Sequence, residues 1–203
     1  MSMIYQKEPA EVSKAIQSGL KKMARRGAFT TPLLRKGVID KAEEPIPVRA
    51  LPVYNIGLND LAKGKDSSAA IQTGWRYTIQ QNNEIVAHAA TTIDEKGAHH
   101  FAAINEGPIV RGMSKAIEFA EKQDVIKKGK YEVRLLIVPA LYVAALWLVD
   151  KVANVDYAIP IEPSQPPFIV NEIIPFQDFL EILQNKAKSV LAEERDEAII
   201  GGS

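Results

Sequence analysis

The stretch that most restricts what this chain can fold into runs from "GWRYTIQ" to "AHHFAAI". In the first run Trp75, Tyr77 and Ile79 alternate with Arg76, Thr78 and Gln80; "EIVAHAATTID" and "AHHFAAI" follow, separated by "QNNE" and "EKG". Strand side chains point to alternate faces, so a period of two in apolar residues predicts strands with one face toward a core. Asn82-Asn83 and Gly97 supply turn chemistry, glycine because it takes a left-handed backbone without steric cost. Residues 74–105 therefore predict a three-stranded antiparallel meander.

What surrounds the meander sets the fold class. "PAEVSKAIQSGLKKMARRG" spaces Val12, Ile16, Leu20 and Met23 at helical intervals and predicts an amphipathic helix over about 9–26, stopped by Gly27. Residues 28–68 are rich in proline and lack a sustained period. Proline has no N–H and biases its predecessor toward extended geometry, so "EEPIPVRALPVYNI" predicts an extended strap with one edge strand, laid over the core by Ile46, Val48, Leu51, Val53 and Ile56. After the meander, "NEGPIVRGMSKAIEFAEKQ" places Pro108 at a first helical position and Ile109, Met113, Ile117 and Ala120 on one stripe.

"YEVRLLIVP" predicts a strand buried on both faces. Pro139–Lys151 is ambiguous: the leading proline and the leucines and alanines favour a helix, whereas Tyr142, Val143, Trp147 and Val149 suit a strand hairpinned with "DYAIPI", and the helix is preferred here. A long helix over about 175–195 carries Phe176, Phe179, Leu180, Leu183 and Ala187 on one face. The order predicts an α+β fold, an antiparallel meander extended by further strands and packed against several helices, in a single domain over 1–203 with its α+β core at 70–162. The terminal Gly201-Gly202-Ser203 reads equally as a native tail or an appended scar.

Composition narrows function. Lys and Arg number 25 against 25 Asp and Glu, so no global charge draws the chain to a polyanion. Nucleic-acid binding is left to one basic cluster, Lys21, Lys22, Arg25 and Arg26, which complements the negative end of its helix just as well. Without cysteine there are no disulfides or thiolate ligands, which suits a reducing cytoplasm, and the N-terminal residues do not form a signal peptide. The uncharged run Leu135–Val149 is shorter than the roughly 20 residues a spanning helix needs, so no membrane partner is expected. No dinucleotide, phosphate-loop, zincin or nucleophile-elbow motif is present.

All three histidines fall between His88 and His100. If Asp94 pairs with Gly97, then Thr92 faces His99, Ala90 faces Phe101 and His88 faces Ala103. If Asn82-Asn83 form the other turn, Tyr77 faces His88. Adjacent His99 and His100 then point to opposite faces, and His88 lies about 13 Å from His99 at roughly 3.3 Å per residue, so no metal site and no cofactor are expected. The same register surrounds His88 with Trp75, Tyr77 and Phe101, candidates for a ligand pocket. Within it His88 and Tyr77 are candidate catalytic groups, with Glu106 as a possible acid; a core histidine with a satisfied ring is the plainer alternative. The expectation is a soluble cytoplasmic, non-catalytic protein working through protein–protein contact or self-association. The alternative is a small-molecule-binding protein or acid–base enzyme using the aromatic face around His88.

Overall fold

The computed structural model describes residues 2–29, 34, 46–81 and 84–200. The Asn82-Asn83 turn, positions 30–33 and 35–45 of the strap, and the Gly-Gly-Ser end lie outside the described residues. In chain order the elements are β1 (Met3–Ile4), α1 (Ala10–Arg25), β2 (Ile46–Asn55), α2 (Leu58–Ala62), β3 (Ile71–Gln81), β4 (Glu84–Ile93), β5 (His99–Asn105), α3 (Pro108–Lys122), α4 (Asp124–Lys128), β6 (Tyr131–Val138), β7 (Val143–Asp150), β8 (Tyr157–Pro160), β9 (Ile174–Pro175) and α5 (Phe176–Ile200). The strands form one open sheet in the order β5-β4-β3-β2-β6-β7-β8-β9, with β1 beside β6. Pairing is antiparallel except where β1 and β2 each run parallel to β6. The protein has an α+β fold, with the expected meander as one end of the sheet.

Helices cover both faces. On one face α3 presses Met113, Ala116, Ile117 and Ala120 onto Leu51 and Val53 of β2, Val133 and Leu135 of β6, and Leu146 and Leu148 of β7. On the other face two helices divide the sheet: α1 sets Val12 and Ile16 on Trp75, Tyr77, Ile79, Ala87 and Ala89. There α5 brings Phe176, Phe179, Leu180 and Leu183 to Leu136, Val138, Val143, Ala145 and Trp147. The sheet is therefore sandwiched along most of its width, and its apolar strands read as near-continuous apolar runs for that reason.

Three expectations need correction. Pro139–Lys151 is not a helix: Pro139–Leu141 form one 3₁₀ turn, Tyr142 takes a left-handed backbone (φ 54°), and β7 returns antiparallel to β6 over eight residues. With α3 beneath Leu146 and Leu148 and α5 above Ala145 and Trp147, both faces are buried, and no period of two survives in the sequence. Second, β2 lies inside the sheet, between β3 and β6, rather than at an edge. Its prolines are tolerated because Pro47 and Pro52 fall where, among the described residues, β3 is the only strand partner, β6 pairing with Val53–Asn55.

The third correction is the register of the meander. Gln81 pairs with Glu84 and Gln80 with Ile85, as the expected turn requires, but Val86 is bulged, so Ile79 meets Ala87, Thr78 meets His88 and Tyr77 meets Ala89. Between β4 and β5, His99 pairs with Ile93, His100 with Thr92 and Phe101 with Thr91; Ala102 is then bulged, and His88 meets Asn105. One extra residue reverses the parity of everything beyond it. Tyr77 and His88 thus lie on opposite faces of the sheet.

At one point α1 and the sheet approach more closely than side chains normally allow. A β-carbon on Gly19 would overlap the Phe101 ring near its attachment to Cβ, where rotation cannot relieve the clash. Alanine is about 1 kcal/mol better than glycine in a helix interior, but overpacking at a site with no slack costs about 1–3 kcal/mol. Gly19→Ala is accordingly expected to lower the free energy of unfolding measured in urea, despite its better propensity; a stabilised variant would show that the contact is loose.

Candidate functional site

β5 is the outermost strand at one end of the sheet, and the two ends are finished differently. β9 has two residues, the second of them Pro175, and leads directly into α5. A short strand closed by proline is a blunted edge. β5 is seven residues long and contains no proline, and among the described residues no strand pairs with its outer side.

Beside this edge lies a groove of about 460 Å³ between α1 and β5, lined by the more buried Ala15, Gly19, Met23 and Phe101 and by Ser18, Lys22, Arg26, Ala28, His99 and His100. The helix supplies its wall through one stripe, since residues three or four apart share a face: Ala15, Gly19, Lys22 and Arg26 follow at that spacing. The small residues let the helix descend onto Phe101, and the bases that follow stand at the mouth. Lys22 and Arg26 are exposed, and among the described residues neither has a carboxylate partner. Like charges four apart on a helix repel, so this pair is an unneutralised feature rather than an ion-pair stripe.

On the strand side, His99 shares a face with Phe101, and its Nδ1 is buried without a hydrogen-bond partner. His100 Nε2 stands 2.8 Å from Asp94 Oδ2. The Asp94 carboxylate also accepts from the backbone N–H groups of Lys96 and Ala98, each at 2.9 Å, closing the hairpin in which Gly97 has φ 80°. The His100 imidazole, and after it the Ala98 N–H, hold the Asp94 carboxyl below its ordinary pKa. The Asp94 carboxylate, next to the rim through His100, is therefore already engaged.

The residues singled out in the sequence are dispersed. Phe101 lies in the floor of the groove. Trp75 and Tyr77 are buried deeper under α1, Trp75 with its Nε1 unpaired. Burial, and then the carboxylate of Glu8, push the Tyr77 phenol above its ordinary pKa, so it stays protonated. His88 is on the other face, beneath α3, with 0% of its surface exposed and neither ring nitrogen hydrogen-bonded. Its neighbour there is Arg76, one diagonal step away across β3 and β4. Glu106, half-buried, follows β5 at the start of α3. The structure sets His88 and Tyr77 on opposite faces of the sheet, and the described groove is on the face away from His88.

The basic cluster is split in two. Lys22 and Arg26 line the groove, and Lys21 and Arg25 lie outside it. The groove's composition was missed because Phe101 and the two histidines come from a strand more than seventy positions away; the visible signal was the small-small-basic-basic stripe of α1. Among the described residues no group of three or more His, Asp or Glu side chains is placed to hold a metal ion, and no helix is long and apolar enough to cross a membrane. Comparison with models of protein families, with curated proteins and with solved structures gave no match.

Burial, and then the guanidinium of Arg76, lower the His88 pKa from its ordinary 6.5 to about 3. The folded chain then keeps a neutral imidazole where the unfolded chain takes up a proton. Stability from this group is present above pH 6.5 and is lost as pH falls toward 3, by about 1.4 kcal/mol per pH unit in the steep range. In His88→Leu, of similar volume, neutral-pH stability should stay within about 1.5 kcal/mol of the parent. Its urea midpoint should fall less between pH 6.5 and 4.5; parallel pH profiles for the two proteins would show that His88 does not titrate in this way.

Proposed function

We propose that this chain is a non-catalytic protein–protein interaction protein, and that its docking element is the open edge of β5 beside α1. The observation that supports this most directly is the contrast between the two ends of the sheet, one blunted by Pro175 and the other, over His99–Asn105, without a strand partner on its outer side among the described residues. An unpaired strand presents a row of N–H and C=O groups that an extended segment of another protein can continue, with side-chain pockets on the neighbouring face conferring choice. The groove against α1 has the position such a pocket needs. The cysteine-free composition makes a reducing, cytoplasmic setting the first in which to seek the partner.

Acid–base chemistry around His88 has less support. A general base must come within about 3 Å of the proton it removes, and His88 is sealed beneath α3 on the face away from the groove.

Selection of peptides of random sequence on the immobilised full chain, followed by backbone amide shift mapping with the enriched peptides, tests the proposal. The expected outcome is enrichment of extended peptides that perturb the amides of His99–Asn105 and the groove-facing side of α1. Failure to enrich any peptide, or perturbations confined to other elements, would overturn it.

A further inference from the structure

The groove beside β5 has a charge character that selects among the segments an open strand could accept. Its base is apolar, built of Ala15, Met23 and Phe101, and its rim carries Lys22 and Arg26 from α1 opposite His99 from β5. Three observations bear on what fits. Lys22 and Arg26 stand on successive turns and have no carboxylate partner among the described residues, although the chain carries as many acids as bases. Asp94, which could have neutralised the rim, is turned to His100 and to two backbone N–H groups. And His99, which lines the groove, has its Nδ1 buried without a partner.

From these we infer that the segment β5 accepts is an acidic one: an extended peptide that continues the sheet along His99–Phe101, sets an apolar side chain on Phe101 and Met23, and directs a carboxylate to Lys22 and Arg26. This rests on strand addition at β5 as proposed above and adds the identity of the partner's side chains. The geometry follows from strand parity. Residues of an added strand alternate between the two faces of the sheet, so those facing α1 recur at every second position. One such residue meets the Phe101 floor, and the next along the strand toward the hairpin meets the end of α1, where both bases stand. The acid and the apolar residue of the partner are therefore two positions apart. The bulge at Ala102 breaks the regular ladder after Phe101, which confines regular pairing to the hairpin end of β5, the end the bases flank.

The last turn of α1 would by itself repel an anion, because unpaired carbonyls gather at a helix C-terminus. A carboxylate placed there depends on side-chain cations to outweigh the dipole, so removing them is expected to abolish the preference for acid rather than merely weaken it.

The test is binding of three fluorescent ten-residue peptides to the full chain at low and physiological salt. All three share the same alternating apolar residues, and the remaining positions are glutamate, glutamine or lysine. The glutamate peptide is expected to bind at least about tenfold more tightly than the glutamine peptide, with the difference shrinking as salt rises. K22Q and R26Q, exposed positions whose folding is checked by thermal melting, should each reduce the preference by about two- to fivefold, and the double reversal K22E/R26E should favour the lysine peptide. Equal binding of the glutamate and glutamine peptides overturns the charge assignment and leaves strand addition standing; binding of none of the three overturns both. Single-stranded DNA that competes with the glutamate peptide and loses its own affinity in K22Q and R26Q would make the groove a general polyanion site and overturn the peptide assignment.

Discussion

The architecture depends on a three-residue seam. Val53, Tyr54 and Asn55 of β2 pair in parallel with Leu135, Leu136 and Ile137 of β6, and this joins the meander half of the sheet to the β6-β7-β8-β9 half. A parallel pair cannot be closed by a hairpin and needs a crossover connection. Here the connection between the two strands contains β3, β4, β5 and α3, so the whole meander lies within the crossover. The ladder between β2 and β3 shifts register between Val53 and Tyr54, at the start of the seam, as β2 turns from one partner toward the other. So short a ladder is held from both faces. α3 packs Met113 and Ile117 in the core that Val53 and Leu135 share, while on the opposite side Arg134 lies 4.6 Å from the Tyr54 ring centre and 4.9 Å from that of Trp147. The guanidinium is anchored in turn by Glu132 at 2.6 Å, which also meets Lys151 at 2.6 Å. β1 occupies the length of β6 that β2 leaves open, pairing Met3 with Tyr131 and Ile4 with Glu132.

Because the seam ties the two halves at the centre, the surplus edges fall at the extremities, and the chain treats them unequally. At the β9 end it uses brevity and a proline. At the β5 end it uses a bulge at Ala102 and a hairpin carrying Asp94, Glu95 and Lys96, devices that discourage indiscriminate edge pairing without covering the backbone. Among the described residues no strand continues this edge, and the bulge leaves only a short stretch of it in regular register.

How much of this could be read from the sequence depended on whether the deciding contact was local. The amphipathic stripe of α1, the Pro108 start of α3 and the Phe179–Leu183 face of α5 are set by neighbours three and four apart, and they appear where their spacing places them. The meander was equally legible as three strands, yet its two faces were not. At Val86 the bulge adds a residue after a correctly placed turn, whereas at the other hairpin the turn itself is one residue longer than expected, setting Ile93 opposite His99, and Ala102 is bulged beyond it; nothing in "EIVAHAA" or "FAAIN" marks where the ladder slips. β7 was lost to a different cause. Burial on both faces removes alternation, and alanine and leucine in "ALYVAALWLV" then suggest a helix until Tyr142, 79% exposed and left-handed, is seen to turn the chain back. The candidate site suffered most because it is a product of tertiary structure. Lys22 and Arg26 looked like an ordinary helix terminus, and only the descent of α1 onto Phe101, permitted by Gly19, sets them opposite His99.

The histidines show what a parity reversal costs such an inference. The expected register made His88 the centre of an aromatic pocket; one bulge carries it through the sheet to lie beside Arg76 beneath α3, where burial keeps its ring neutral. Half-buried Arg76, its Nε buried and unpaired, adds a second polar group to that face, and its charge opposes protonation of the imidazole. A neutral imidazole and a guanidinium buried together are destabilising unless the surrounding packing compensates, which here falls to α3 and the Leu51–Val53 core. His99, by contrast, stays where local alternation puts it, on the face of Phe101, and meets the bases of α1 from across the groove. A change of one residue in register therefore takes His88 out of the aromatic face and leaves His99, at the edge of the sheet, as the histidine that lines the groove.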